Sequence, residues 1–216
     1  MYSPAHFQKN NADALLGLIA AHPLATVVCH SDAGLVADHM PLMHVAAAPG
    51  HGHGQLIGHV ARANPLWQLP SGQDVLVVFQ GPSSYISPGW YATKAATGRV
   101  VPTWNYAVVH AHCTLTAIEE PDRALEIITQ LTDWHEAAMP HPWRVADAPQ
   151  DFTDSLLSHI VGIALQIHRL EGKWKVSQNQ PEANRRSVAQ ALAQGSPAQA
   201  DMAALVQASG KVQGNR

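Results

Sequence analysis

The alternation of apolar and polar positions predicts a short helix followed by a run of strands. Leu15, Leu16, Leu18 and Ile19 share an apolar face behind Asn10 or Asn11 as cap, with Asp13 in the first turn and Pro23 ending the helix. Leu24 to His30 reads as a buried strand, Ser31-Asp32-Ala33-Gly34 as a turn, and Leu35 to Val45 as the hairpin partner, interrupted at Pro41. After a loop of small residues from Ala46 to Gly54, Leu56 to Ala61 forms a strand. It hands over to a helix with Asn64 as cap and Pro65 at the first position. Asp74 to Phe79 is a continuously apolar strand, ended by Gln80-Gly81-Pro82 and followed by a polar, aromatic loop to Gly98.

Val100 to Ile118 is the longest strand candidate. Neither of its faces is purely apolar, so it borders a ligand cavity or a subunit interface. Glu119-Glu120-Pro121-Asp122 opens a helix whose stripe is Ala124, Leu125, Ile127, Ile128 and Leu131, reaching about His135. Asp151 to His159 is helical, Ile160 to His168 alternates as a half-buried strand, and Leu170-Glu171-Gly172 turns it back into Lys173 to Val176. A helix follows Pro181, and Ala198 to Ala208 forms a last, weakly held one before a frayed end. The pattern predicts a mainly β fold with α elements, a domain over residues 1–192, and a partly flexible helical tail over 193–216.

Composition narrows this. A chain of 216 residues with 46% hydrophobic content builds its core without covalent staples. Cys29 and Cys113 lie far apart with no CxxC spacing, which indicates neither a disulfide framework nor a thiolate zinc site. Thirteen basic against 16 acidic residues give a net charge of −3, which excludes a whole-surface nucleic-acid footprint and leaves room for a local basic patch. No signal-peptide pattern opens the chain and no stretch has the length of a membrane span, so a cytoplasmic location without membrane contact is expected.

Histidine is abundant, at 14 residues. His51 and His53 sit between glycines with no nearby thiolate or carboxylate, which favours an exposed loop. His110 and His112 point to one side of a strand and Cys113 to the other, so this piece alone does not make a three-ligand site; a two-histidine contribution to a metal or haem remains open. His135-Glu136-Ala137-Ala138-Met139 lacks the second histidine of the HExxH signature, and no metal site is expected.

The strongest candidate chemistry lies at two strand-to-helix corners. At the first, Arg62 precedes the capped helix start, where free backbone N–H groups and a fork of donors suit a phosphate; a plain surface arginine beside an ordinary cap is the competing reading. Between the corners, Trp90, Tyr91, Lys94 and Arg99 interleave rings and cations, which suits a planar anionic ligand or a neighbouring subunit. The second corner, Ser177 to Glu182, is flanked by Lys173, Lys175, Arg185 and Arg186 and reads either as the other side of one ligand site or as a solvated basic helix start. No Gly-rich phosphate fingerprint, P-loop or GxSxG elbow is present, so a flavin or nucleotide would rest on a β-barrel rim.

Several motifs in fixed order then carry a resemblance. Met1-Tyr2-x-Pro4, Gly58 to Pro65, Gln80-Gly81-Pro82 with Tyr85 to Pro88 and Trp90-Tyr91, Thr97 to Tyr106 with Val109-His110, and Lys173 to Asn179 resemble the PaiB-type, FMN-binding negative transcriptional regulators over nearly the whole chain to about Leu192. The resemblance implies an FMN-binding split β-barrel with peripheral helices, related to the pyridoxamine 5'-phosphate oxidase superfamily, as a homodimer with flavin at the subunit interface. It assigns His59, Arg62, Ala63 and Asn64 to FMN, places Asp38 and His39 beside the isoalloxazine or ribityl chain, and brings Trp104, Asn105, Gln178 and Asn179 from the other side. The chain departs from the family pattern at Gln180, where arginine is usual, at Asn184 and Ser187, where Asp and Gly are usual, and at Cys113 in place of Gly; Arg185 is the candidate substitute for the missing arginine.

The resemblance implies a repressor that binds DNA, although no helix-turn-helix with a basic recognition helix is visible. A flavin-dependent oxidoreductase acting on a small molecule is the alternative, with His39, His110 and Tyr106 as candidates for proton transfer and no catalytic residue identified. A haem-binding split barrel using His110 or His112 is the third reading.

Overall fold

The computed structural model describes residues 1–32, 34–48, 50 and 52–210. His51, one of the two loop histidines, lies outside them. The elements in order are β1 (Gln8–Lys9), α1 (Ala12–Ala21), β2 (Leu24–Ser31), β3 (Gly34–Pro41), β4 (Met43–Val45), β5 (Gln55–Ala61), β6 (Gln73–Ile86), α2 (Lys94–Thr97), β7 (Thr103–Ile118), α3 (Pro121–Glu136), α4 (Gln150–Leu157), β8 (Ile160–Lys175), α5 (Glu182–Ala193) and α6 (Pro197–Ser209). The sheet runs β3-β2-β6-β7-β8-β5-β4, with β1 paired to β8. Every pair whose register is resolved is antiparallel. A mainly β chain with helices is therefore what the pattern encodes.

Local signals read from the sequence mostly hold. Asn11 caps α1 by accepting from Ala14 N–H at 2.8 Å, and Pro121 and Asp122 occupy the first turn of α3. The hairpin β2–β3 pairs from Leu24↔Pro41 to Ser31↔Gly34. The chain breaks at Leu42, so that β4 pairs with β5 instead.

Two glycines misled the pattern. The turn expected at Leu170-Glu171-Gly172 does not form, because β8 runs unbroken to Lys175. Gly172 pairs with Lys9 of β1, and a Cβ there would stand 2.2 Å from Leu15 Cδ2 and 2.8 Å from Lys9 O; the glycine permits a close approach and not a reversal. Likewise β6 continues through Gln80-Gly81-Pro82 to Ile86, since Gly81 lets Leu18 come within 2.8 Å of the position a Cβ would take.

The residues group into two compact units, Met1–Leu18 with Gln80–Val109 and Glu171–Arg216, and Ile19–Phe79 with His110–Leu170. In the first, α5 and α6 pack Val188, Leu192, Met202 and Val206 against Ile86, Tyr91 and Val176. The helix expected in the tail is thus α6, started by a Ser196–Gln199 capping box and anchored by Met202, which is fully buried. In the second, Ile57 of β5 packs against Ile127 and Leu131, the stripe read from the sequence of α3. Truncating Met202 to Ala should cost roughly 2–5 kcal/mol in urea-denaturation stability. Substitutions at the exposed Ala200 and Gln207 of the same helix (Ala200→Ser, Gln207→Ala) should stay within about 0.5 kcal/mol.

Candidate functional site

Strand β5 delivers the first corner. Beyond Ala61 the chain turns through Arg62 and Ala63 into Asn64, whose Oδ1 accepts from Leu66 N–H at 2.8 Å and whose Nδ2 donates to Asp38 Oδ1 at 3.0 Å. Two residues assigned to one ligand from the sequence, Asp38 and Asn64, are therefore joined directly. The cap is as expected, but it opens a single 3-10 turn, Pro65–Gln68, and not an α-helix. The dipole of such a turn is small, so the anion-attracting helix start read from the sequence is reduced to a few N–H groups.

Arg62 is heavily committed. Its Nε donates to Ser158 O at 3.0 Å and its Nη2 to Ile160 O at 3.1 Å. Its Nη1 lies 3.6 Å from Glu119 Oε2, and the guanidinium stands 5.6 Å from the centre of the Trp67 ring. Trp67 in turn donates its indole N–H to Arg62 O at 2.9 Å. The arginine fastens the end of β5 to the start of β8, a role its position before a cap did not announce. Ala63 is exposed, and His39, next to Asp38 on β3, faces the opposite side of the strand and is exposed.

His59 is different. Its Nδ1 is buried without a hydrogen-bond partner, and desolvation pushes its pKa below the ordinary value. An orphaned buried imidazole nitrogen is expensive unless something outside the chain satisfies it.

In the other unit β7 separates two expected neighbours. Asn105 is 1% exposed, whereas Trp104, on the opposite face, is 57% exposed and meets Tyr85 edge-on with centroids 6.2 Å apart. Asn105 Nδ2 donates to Ser177 Oγ at 2.8 Å. Gln178 is turned inward: its Oε1 accepts from Val176 N–H, and its Nε2 donates to Trp174 O and, at 3.0 Å, to His6 O. Asn179 and Asn105 line a cavity of about 200 Å³ together with Arg99 and Lys175, cations that the sequence flagged only as neighbours of aromatic rings or of a helix start.

The departures from the family pattern acquire a local role. Asn184 Oδ1 accepts from Thr93 N–H at 3.1 Å and Ser187 Oγ from Ala92 N–H at 3.2 Å, so α5 clamps the aromatic loop that precedes α2. Arg185 does not face the cavity but donates to Gln180 O at 2.6 Å. A larger open groove of about 920 Å³, lined by Leu125, Asp133, Trp143 and Arg144 among others, contains none of the expected site residues.

Comparison with known proteins decides the family. The sequence profile described as "Putative FMN-binding domain" matches residues 1–169. The chain is 31% identical over 193 residues, covering 89% of both chains, to the Protease synthase and sporulation protein PAI 2 of Bacillus subtilis. The chain belongs to the PaiB-type FMN-binding family. An uncharacterised protein of Saccharomyces cerevisiae is 37% identical over 123 residues, covering 56% of this chain and 72% of its own. Among solved structures, the FAD- and haem-binding protein of Mycobacterium smegmatis shares the fold at a TM-score of 0.56 and 18% identity, covering 77% of this chain and 72% of that one. The flavocytochrome Anf3 of Azotobacter vinelandii does so at 0.55 and 13%, covering 78% and 69%. The mainly antiparallel sheet with its helices is the split barrel that the PaiB-type motifs implied, and FMN is the cofactor of the family.

The residues present suit such a group. His59 offers an unsatisfied nitrogen for a flavin or ribityl oxygen, and the Arg99–Lys175 cavity has no carboxylate in its lining. FMN, when bound, supplies one- and two-electron chemistry.

Two outcomes follow from this geometry. Above about pH 6.5 His59 is neutral in both the folded and the unfolded chain. Below that value the unfolded chain takes up its proton first, so stability falls as pH drops toward the depressed folded pKa. In flavin-free protein, His59→Gln should flatten this part of the Tm–pH profile between pH 7 and 5 (about the unperturbed histidine range). Arg62→Ala should lower the Tm of flavin-free protein through the lost carbonyl contacts, by an amount equivalent to about 1–3 kcal/mol.

Proposed function

We propose that the chain is an FMN-binding negative regulator of transcription that works as a homodimer. The identity to the B. subtilis protein named for protease synthase and sporulation, over 89% of both chains, carries this reading, because that extent takes in both strand-to-helix corners of the family motif. The dimer is supported by the outward face of β2, β3 and β6. Register sets Val28 opposite Ala37 and Leu76, Thr26 opposite Val78, and His30 opposite Leu35, which is 78% exposed. An apolar sheet face at the β3 edge is suited to a second copy, and a two-fold contact uses the same patch on both subunits.

A flavin-dependent oxidoreductase is the second reading, favoured by His59, whose free nitrogen offers a hydrogen bond to a flavin or substrate atom. The two separate in one set of measurements on the full chain. FMN titration by fluorescence quenching should give saturable binding, tighter than riboflavin. Light scattering on a sizing column should report a dimer that Val28→Glu or Leu35→Glu converts to monomer. Selection from genomic fragments should recover DNA whose binding falls steeply with salt. Failure to enrich any fragment in either flavin state would overturn the regulator, and bleaching of bound FMN by reduced nicotinamide with turnover of an acceptor would establish the oxidoreductase in its place.

A further inference from the structure

We propose that the cavity beneath the end of β8 is a binding site for a phosphate monoester, separate from the Arg62 corner. The inference deepens the flavin reading, and rests on it, where the phosphate is that of FMN, and goes beyond it where the phosphate belongs to a second molecule. Arg99 and Lys175 bring two positive charges to a lining without a single carboxylate, in a chain whose net charge is −3. Neither cation has an acidic partner among the described residues; Lys175 meets only the Thr103 hydroxyl. Two like charges sharing a small cavity repel each other and are stabilised by an anion between them.

The neutral groups fit the same ligand. Asn105 and Ser177 are 1% and 4% exposed, buried deeply enough that their polar atoms need partners. Asn105 spends an N–H on Ser177 Oγ, which leaves the Ser177 hydroxyl hydrogen to be donated elsewhere. Ser177 is also the only non-glycine residue at positive φ among the described residues, at 62°. That unfavourable backbone is held by Gln180 N–H donating to Ser177 O at 2.9 Å and by the Gln178 side chain accepting from Val176 N–H at 2.8 Å. A strained residue fixed on both sides, in one cavity lining with two cations, suits a tetrahedral oxyanion. The volume, about 200 Å³, admits a phosphate head.

A phosphate monoester reaches the cavity either as the phosphate end of FMN or as a second, phosphorylated small molecule. Inorganic phosphate is the probe, titrated calorimetrically into the full chain in flavin-free, riboflavin-loaded and FMN-loaded forms. Saturable binding to the flavin-free chain, weakened at least tenfold by Arg99→Ala and by Lys175→Met and measurably by Ser177→Gly, is the expected result. Ser177→Gly suits the backbone angle and removes only the hydroxyl, so it separates recognition from folding. Phosphate excluded by FMN and tolerated with riboflavin assigns the cavity to the cofactor; phosphate bound equally with FMN in place assigns it to a separate ligand. Absence of phosphate binding, or binding that the three substitutions leave unchanged while Tm and circular dichroism stay native, overturns the proposal. FMN affinity of the wild-type chain is read separately by fluorescence, so loss of the flavin reading and loss of this one are told apart.

Discussion

The guanidinium of Arg62 is the fixed point of the second unit. Its two hydrogen bonds to the Ser158 and Ile160 carbonyls, with the backbone bond from Arg62 N–H to His159 O at 2.7 Å, bind the turn after β5 to the peptide that leads from α4 into β8. A charged donor meeting carbonyls at such a junction contributes more than a neutral one. The ion pair with Glu119 is exposed on both sides and adds little beyond holding the fork in place. An arginine used in this way supports the corner mechanically. Whatever anion the corner attracts must compete with carbonyls and a carboxylate that already hold the charge.

That constraint moves attention to cations that are not spent. Lys173 is nearly buried, with Nζ bonded to Tyr2 O and set over the rings of Tyr2 and Tyr106, so its charge serves the fold. Arg123 and Arg186 pair with Glu126 and Glu182 on their own helices. Arg99 and Lys175 share with Ser177 a cavity lining that holds no carboxylate. At the neighbouring departures from the family pattern, Asn184 and Ser187 tie down the segment that leads toward Arg99.

What could be read from the sequence was what is decided locally. Asn11 and Pro121 set helix starts through their own local chemistry, and the stripe of α3 follows from its period. Gly172 and Gly81 were misread because a glycine that permits close packing looks, in one dimension, the same as a glycine that permits a turn; only Leu15 and Leu18, distant in sequence, distinguish them. For the site, the resemblance named residues but not directions. Alternation along β7 sends Trp104 and Asn105 to opposite faces, and Gln178 is drawn into the backbone of its own strand. Arg62 was singled out for an anion, whereas its fork meets carbonyl partners nearly a hundred residues away that no local pattern contains. The strained φ of Ser177 had no sequence signal at all, because nothing about serine predicts it.

The charge inventory also bears on how a protein of this kind would engage DNA. Non-specific affinity grows with the number of phosphates neutralised, and each needs a cation free to meet it. Of the two arginines at the start of α5, one is held by the Gln180 carbonyl and the other by Glu182, and the net charge of −3 gives no background attraction. A single copy is therefore poorly equipped. A two-fold pair doubles each contact and fixes the spacing between them, so that a modest set of cations reads two half-sites at once. The proposed regulator reading therefore rests on the proposed pairing through the apolar face of β2, β3 and β6: with two copies, a ligand that alters the pairing of the subunits would alter DNA affinity directly.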